Sequence, residues 1–168
     1  MSSTAHAGLT DHAALLSSAE LRRIEAQYGH LDLMRRAGKA AAEFLMTRSQ
    51  RGDRIVLVAG PGNNGGDAFA CAAELRAGGY EPLVVFLAEG MNLPTDARAA
   101  RQRALDAGVS MVPSLTEFDG ASWIIDGLFG IGLKRPLDGA HSDAVRVMLA
   151  EALYRAASLI KGHPYHRE

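Results

Sequence analysis

At 168 residues with 48% apolar side chains, the chain is long enough to bury one core and too short for several, so one soluble globular domain is expected. A formal charge of −1 and the lack of a long basic run remove the electrostatic case for nucleic acid or an anionic membrane. The single cysteine, Cys71, excludes an intramolecular disulfide framework and accords with a reducing cytoplasm.

In chain order, residues 1–14 are small and polar, without the cationic start and apolar middle of a secretion signal, and read as a disordered lead-in. No run approaches the roughly 18 apolar residues of a membrane span. Ser17-Ser18-Ala19-Glu20 has capping-box spacing and opens a helix. A second helix is predicted over Leu31 to Met46, with Leu33, Met34, Ala37, Ala40, Ala41, Phe44 and Leu45 as an apolar stripe for core packing.

Ile55 to Ala59 is a β-branched, uninterrupted apolar run, as in a central parallel strand buried on both faces. It enters a loop, Gly60-Pro61-Gly62-Asn63-Asn64-Gly65-Gly66-Asp67, whose glycines are expected to supply a sharp turn and open φ/ψ space before a helix over Ala68 to Leu75. Cys71 on that helix reads as a small buried residue in preference to a nucleophile. Leu83 to Ala88, Val109 to Val112 and Trp123 to Asp126 read as further strands, Thr95 to Ala107 as a polar helix. Ser142 to Ile160 reads as an amphipathic helix, with Val145, Met148, Leu149, Leu153, Ala156 and Ile160 aligned. Such alternation predicts the α/β class: a Rossmann-like, doubly wound, three-layer α/β/α sandwich with a mainly parallel sheet, one domain over residues 15–160 and a tail over 161–168.

The loop contains a literal G-x-G-x-x-G at Gly60, Gly62 and Gly65, and Glu89 lies 24 residues beyond Gly65, as in a dinucleotide fingerprint. Against a hydride-transferring dehydrogenase, Asn63, Asn64 and Asp67 crowd the turn, and a carboxylate already holds the electropositive helix end that a pyrophosphate would use. A polyol, amide or cation suits the loop better. No Lys-Ser/Thr pair follows the glycines, so it is not a P-loop. The plainer alternative is that Asp67 caps its helix. The second constellation runs from Asp126 to Gly139. In strand order 3-2-1-4 the loops after Ala59 and Ile125 flank one crevice, so Asp126 is expected to face Asn64 and Asp67. That grouping suits general acid/base chemistry or a cation with oxygen ligands. Lys134 and Arg135 are placed either to meet a phosphate or to form an ordinary solvated loop.

On the residues Leu33-Met34-Arg35-Arg36-Ala37-Gly38, Gly60 to Asp67 and Asp126 to Gly139, the chain resembles the NAD(P)H-hydrate epimerase family, the YjeF N-terminal domain, over roughly residues 15–140. The resemblance implies an isomerase of nicotinamide nucleotide repair that interconverts the R and S forms of NADHX and NADPHX, in which water has added to the reduced nicotinamide ring. It implies substrate contacts from Asn63, Asn64, Gly65, Gly66 and Asp67 and from Gly130, Ile131, Gly132, Leu133, Lys134, Arg135 and Pro136. Potassium (K+) at Asn64 and Asp126 is implied likewise, with Asp126 the candidate acid/base group. A cytoplasmic homodimer is implied, working beside an ADP- or ATP-dependent NAD(P)HX dehydratase, with no nucleic acid or membrane partner. Relatives also carry an Asp-x-Pro-Ser-Gly strand that nothing after Gly139 supplies, so the chain reads as C-terminally truncated. The alternative is accordingly a nucleotide-binding or interaction module of the same fold with little turnover; an mRNA-decapping scaffold uses the fold for dimerisation and RNA contact. Self-association is expected at the open edge of the fourth strand and the C-terminal helix. His163 and His166 read as tail rather than as a metal pair.

Overall fold

The computed structural model describes residues 17–88, 90–113, 116, 120–130 and 139–160. The chain divides into two compact units, Met1–Leu31 and Asp32–Glu168. In the first, α1 (Ser18–Tyr28) opens on the expected capping box: the Glu20 amide donates to Ser17 Oγ at 3.3 Å, and the Ser17 amide donates to Glu20 Oε2 at 2.8 Å. Hydrogen bonds from the Ser17 side chain and backbone hold the Glu20 carboxyl below its ordinary value. A 3₁₀ turn, Gly29–Leu31, follows.

In the second unit, α2 (Leu33–Met46) starts two residues later than the pattern predicts. Asp32 adopts a left-handed conformation, φ 47°, and its side chain caps the helix by accepting from the Arg35 amide at 3.3 Å. The buried face of α2 is Met34, Gly38, Ala42 and Leu45, whereas Ala37, Ala40, Ala41 and Phe44 are exposed. The predicted stripe was therefore rotated about the helix axis. Its cause is Gly38: a Cβ there would stand 2.7 Å from the Ala70 carbonyl carbon and the Cys71 nitrogen. A residue chosen for having no side chain carries no hydropathy signal, so the apolar pattern pointed elsewhere.

The remaining elements are β1 (Ile55–Ala59), α3 (Asn63–Ala77), β2 (Leu83–Phe86), α4 (Thr95–Asp106), β3 (Ser110–Val112), β4 (Trp123–Gly127) and α5 (Gly139–Ile160). The four strands are parallel in the order β3-β2-β1-β4, the doubly wound arrangement expected. β1 is buried along its whole length, and its alternation sorts the core into two layers. Ile55, Leu57 and Ala59 face a cluster with Phe69, Leu75, Ala97 and Ala100 from α3 and α4. Val56 and Val58 face a second cluster with Leu128 and Ala144, against which Val145, Val147 and Met148 of α5 pack. Leu149, assigned to the apolar stripe of that helix, is instead 57% exposed. The side chains of Leu153, Ala156 and Ile160, and the tail with His163 and His166, lie outside the described residues. Among the described residues no helix is long and apolar enough to cross a membrane.

Cys71 is buried on α3, as its sequence context predicts, and desolvation, with a smaller contribution from the Glu74 charge, pushes its thiol up to about 12. The thiolate is the reactive form, so iodoacetamide at pH 8 should label the native chain at least about a hundredfold more slowly than the denatured chain. Because the unfolded thiol loses its proton near about 8.5 and the folded one near about 12, this group's contribution to stability is intact below that range and lost as pH rises through it. Equal labelling rates with and without denaturant would show that the thiol is accessible.

Candidate functional site

The site is built where β1 and β4 end side by side. The Gly60 amide donates to the Gly127 carbonyl at 3.1 Å, carrying the strand pairing one residue past β1 into the loop. A Cβ on Gly60 would run into the Leu128 carbonyl oxygen and stand 2.8 Å from its carbon. A Cβ on Gly65 would run into the Gly60 carbonyl oxygen and stand 2.9 Å from the Gly60 carbon and nitrogen. Gly127 is closed in the same way, with 2.6 Å to Ala68 Cβ and 2.9 Å to the Val58 oxygen. These three glycines form a seam in which two strand-to-loop backbones touch.

The seam revises the expected role of the glycines. Among the described residues the left-handed glycines are Gly79, Gly90, Gly108, Gly120 and Gly139, none of them in this loop. The loop glycines are required for close approach and not for unusual φ. Nor are Asn63 to Asp67 a loop: they form the first turns of α3, which begins five residues earlier than predicted, directly after Gly62. Gly62 is the N-cap and caps without a side chain, so Asp67 does not close the helix end. Asp67 is half-buried and already partnered.

The structure brings Asn64, half-buried in the first turn of α3, against the loop that follows β4. A Cβ on Gly130 would stand 3.8 Å from Asn64 Oδ1. Asp126 is exposed, and its Oδ1 accepts from the Leu128 amide at 2.9 Å, which fixes the carboxylate at the start of that loop. Alternation along β4, with Ile125 in the α3 layer and Ile124 in the α5 layer, assigns Asp126 to the Val58 face of the sheet. Asp67 belongs to α3, which packs on the other face of the sheet, and Asn64 in the first turn of that helix is what meets the loop after β4. Asn63 is exposed at the helix tip, and Gly66 packs on Met34 and Ala97. Ile131, Gly132, Leu133, Lys134, Arg135, Pro136 and Glu89 lie outside the described residues.

One neighbour was not legible in the pattern. His141, in the first turn of α5, lies with its ring 5.5 Å from that of Phe129, and its Nε2 is buried without a partner. A single histidine near a helix start has no spacing signature. Among the described residues no three His, Cys, Asp or Glu side chains form a metal cluster, so the donors on offer are mixed oxygens, carboxylate and amide.

A parallel sheet wound in this order, with helices packed on both of its faces, defines a doubly wound α/β domain. The chain belongs to the family described as YjeF-related protein N-terminus, which matches residues 30–158. It is 51% identical over 110 residues to a Bordetella pertussis (strain Tohama I) protein named NAD(P)H-hydrate epimerase, covering 66% of this chain and 48% of that protein. It is 35% identical over 139 residues to the Rhodobacter capsulatus protein of the same name, covering 74% of this chain and 66% of that one. The chain thus spans about half the length of the first of these curated relatives and two thirds of the second. The crystal structure of yeast ynu0 superposes with a TM-score of 0.67 over 79% of this chain and 63% of that chain, and at 23% identity it shows the fold alone.

The seam makes a sharp distinction among neighbouring glycines. Gly60→Ala and Gly65→Ala should each destabilise the domain by about 3 kcal/mol or more, because backbone cannot yield as a side chain can. At Gly65 the roughly 1 kcal/mol that alanine gains inside a helix is outweighed. Gly62, with nothing within 4 Å of a Cβ, should lose less than about 1 kcal/mol on the same change. Urea denaturation of the three variants checks the order, and equal losses at all three positions would contradict it.

Proposed function

We propose that this chain is an NAD(P)H-hydrate epimerase, interconverting the R and S forms of NADHX and NADPHX. The observation that carries the reading is the contact between the two motifs, made by Asn64 in the first turn of α3 and Gly130 after β4, in a chain whose relatives bear that name. The first-turn amides of α3, left without a side-chain cap at Gly62, suit an anionic or strongly polar part of a nucleotide. Asn63, Asn64, Gly65, Gly66 and Asp67 contact the substrate from α3 and Gly130 from the end of β4; the family resemblance adds Ile131, Gly132, Leu133, Lys134, Arg135 and Pro136, of which Lys134 and Arg135 carry charge suited to phosphate.

Asp126 takes and returns the proton while the hydroxyl-bearing carbon of the hydrated ring changes configuration. Its anchoring through Oδ1 to the Leu128 amide leaves Oδ2 as the oxygen that works. The Asn64 amide orients the ring from the opposite wall. An amide oxygen and a carboxylate are hard donors and fit potassium, which when bound at Asn64 and Asp126 would supply positive charge beside the developing charge on oxygen. The product epimer is passed to a separate ADP- or ATP-dependent dehydratase, in the cytoplasm, and the working form is a homodimer.

The test is NMR of an R/S NADHX mixture with the protein and an S-specific dehydratase. The R form should disappear faster than it epimerises unaided; equal rates would leave a binding module without turnover. Asp126→Asn keeps the hydrogen bond to Leu128 and removes the charge, so turnover should fall by about a hundredfold or more. In the same variant the rise in melting temperature on adding potassium should shrink. Potassium that stabilised wild type and Asp126→Asn equally would move the cation elsewhere.

A further inference from the structure

Arg101 lies on α4 beside Ala97, Ala100 and Ala104, the residues by which that helix packs, and it is itself half-buried. Its guanidinium carbon is 5.3 Å from the centroid of the Phe86 ring, and its Nε is buried without an acceptor. Arg76, half-buried on α3, is paired with Glu81, whereas among the described residues no carboxylate lies within ion-pair reach of Arg101.

A cation that gives up part of its hydration and gains no protein acceptor is costly, and leucine would pack beside those alanines without that cost. Stacking on Phe86 engages the flat face of the guanidinium and fixes where it stands. It leaves the in-plane N–H donors, and those are the ones that grip phosphate.

The place of Arg101 in the fold selects the phosphate. Phe86 ends β2 and pairs with Ala59, the residue before Gly60, and Ala59 pairs on its other side with Gly127. The three form a row across the carboxyl ends of neighbouring strands, about 10 Å from first to last. A helical arginine turns toward the N-terminus of its helix, which for α4 is the end that follows β2, so the guanidinium is carried to the Phe86 end of that row. Asn64, Asp126 and Gly130 stand at the Gly127 end, and the uncapped first-turn amides of α3 stand between.

A dinucleotide laid over the carboxyl ends of a doubly wound sheet follows the same order. Its pyrophosphate lies on the first helix after the glycine-rich turn, its two nucleoside halves lie to either side, and the adenosine ribose meets the end of the second strand. With the reacting ring at Asp126, the adenosine ribose falls to β2. An arginine there meets a phosphate on the ribose 2′-oxygen, the group by which NADPHX differs from NADHX. Arg98, one turn earlier on α4 and held by donating to the Leu93 carbonyl at 3.0 Å, adds positive charge to the same flank.

We propose that Arg101 is a specificity-determining residue that binds the 2′-phosphate of NADPHX; this rests on the nucleotide reading above, though not on turnover.

The test is calorimetric titration of the full chain with NADPHX and with NADHX, for wild type, Arg101→Gln, Arg101→Lys and Arg103→Gln, with circular dichroism to check each fold. Arg101→Gln should raise the dissociation constant of NADPHX at least about tenfold more than that of NADHX. Arg101→Lys keeps the charge without the planar fork and should fall between. Arg103 is exposed on the far side of α4, and its substitution should leave the ratio of the two constants at the wild-type value. In wild type, raising the ionic strength from about 0.05 M to about 0.5 M should move that ratio against NADPHX. Equal losses for both nucleotides in Arg101→Gln, or a wild-type ratio that salt does not move, would each overturn the proposal, and the salt series decides it should Arg101→Gln not fold. If wild type binds neither nucleotide, this proposal and the nucleotide reading fall together. A ratio that moves as expected in a chain without turnover would uphold the phosphate site and refute only the epimerase reading.

Discussion

Everything at the candidate site depends on two stretches of backbone touching with no side chain between them. Gly60 lies on the Leu128 carbonyl, Gly65 on Gly60, and Gly127 on Ala68 and the Asn64 backbone. The contact holds the loop after β1, the first turn of α3 and the loop after β4 as one body. Asn64 and the carboxylate of Asp126 are carried at its rim. Positioning of that kind is stiffer than a hydrogen bond between side chains, because backbone has no rotamer into which it can retreat.

The same device recurs one layer out. Gly38 lets α2 lie on α3 near Ala70 and Cys71, and Gly66 lets Met34 and Ala97 close over the start of α3. Alanines fill the inner faces of α3 and α4, so three helices share one side of a short sheet at close spacing. Opposite them the strands present Ile55, Leu57, Val84 and Phe86, and Phe86 makes an edge contact with Phe69 of α3, ring centroids 5.4 Å apart. Large residues on the sheet and small ones on the helices keep that layer dense without lengthening the chain.

Charge is kept outside this frame. Among the described residues no charged or polar side chain is fully buried, and the ion pairs Arg35–Asp32 and Lys39–Glu43 are exposed. Such pairs add little to stability. The polar groups of the candidate site stand at the carboxyl edge of the sheet, where the Leu128 amide holds the Asp126 carboxylate.

The buried β1, the parallel sense of the sheet and the two glycine-rich junctions were legible in the sequence, from the apolar run of Ile55 to Ala59 and the alternation of strands with helices, and the strand order followed from the usual winding of that class. The face that α2 buries was not, nor the start of α3 at Asn63, nor the reason for the loop glycines. All three turn on absent side chains. Hydropathy reads what a residue carries, whereas Gly38, Gly60 and Gly65 are defined by the neighbour that their missing Cβ admits. That neighbour is 32 residues away in sequence for Gly38 and Ala70, and 68 for Gly60 and Leu128. By itself the sequence determined which segments form the sheet and which residues gather near its edge. Only the tertiary structure decided which backbone lies against which, because close approach is a property of pairs brought together by the fold.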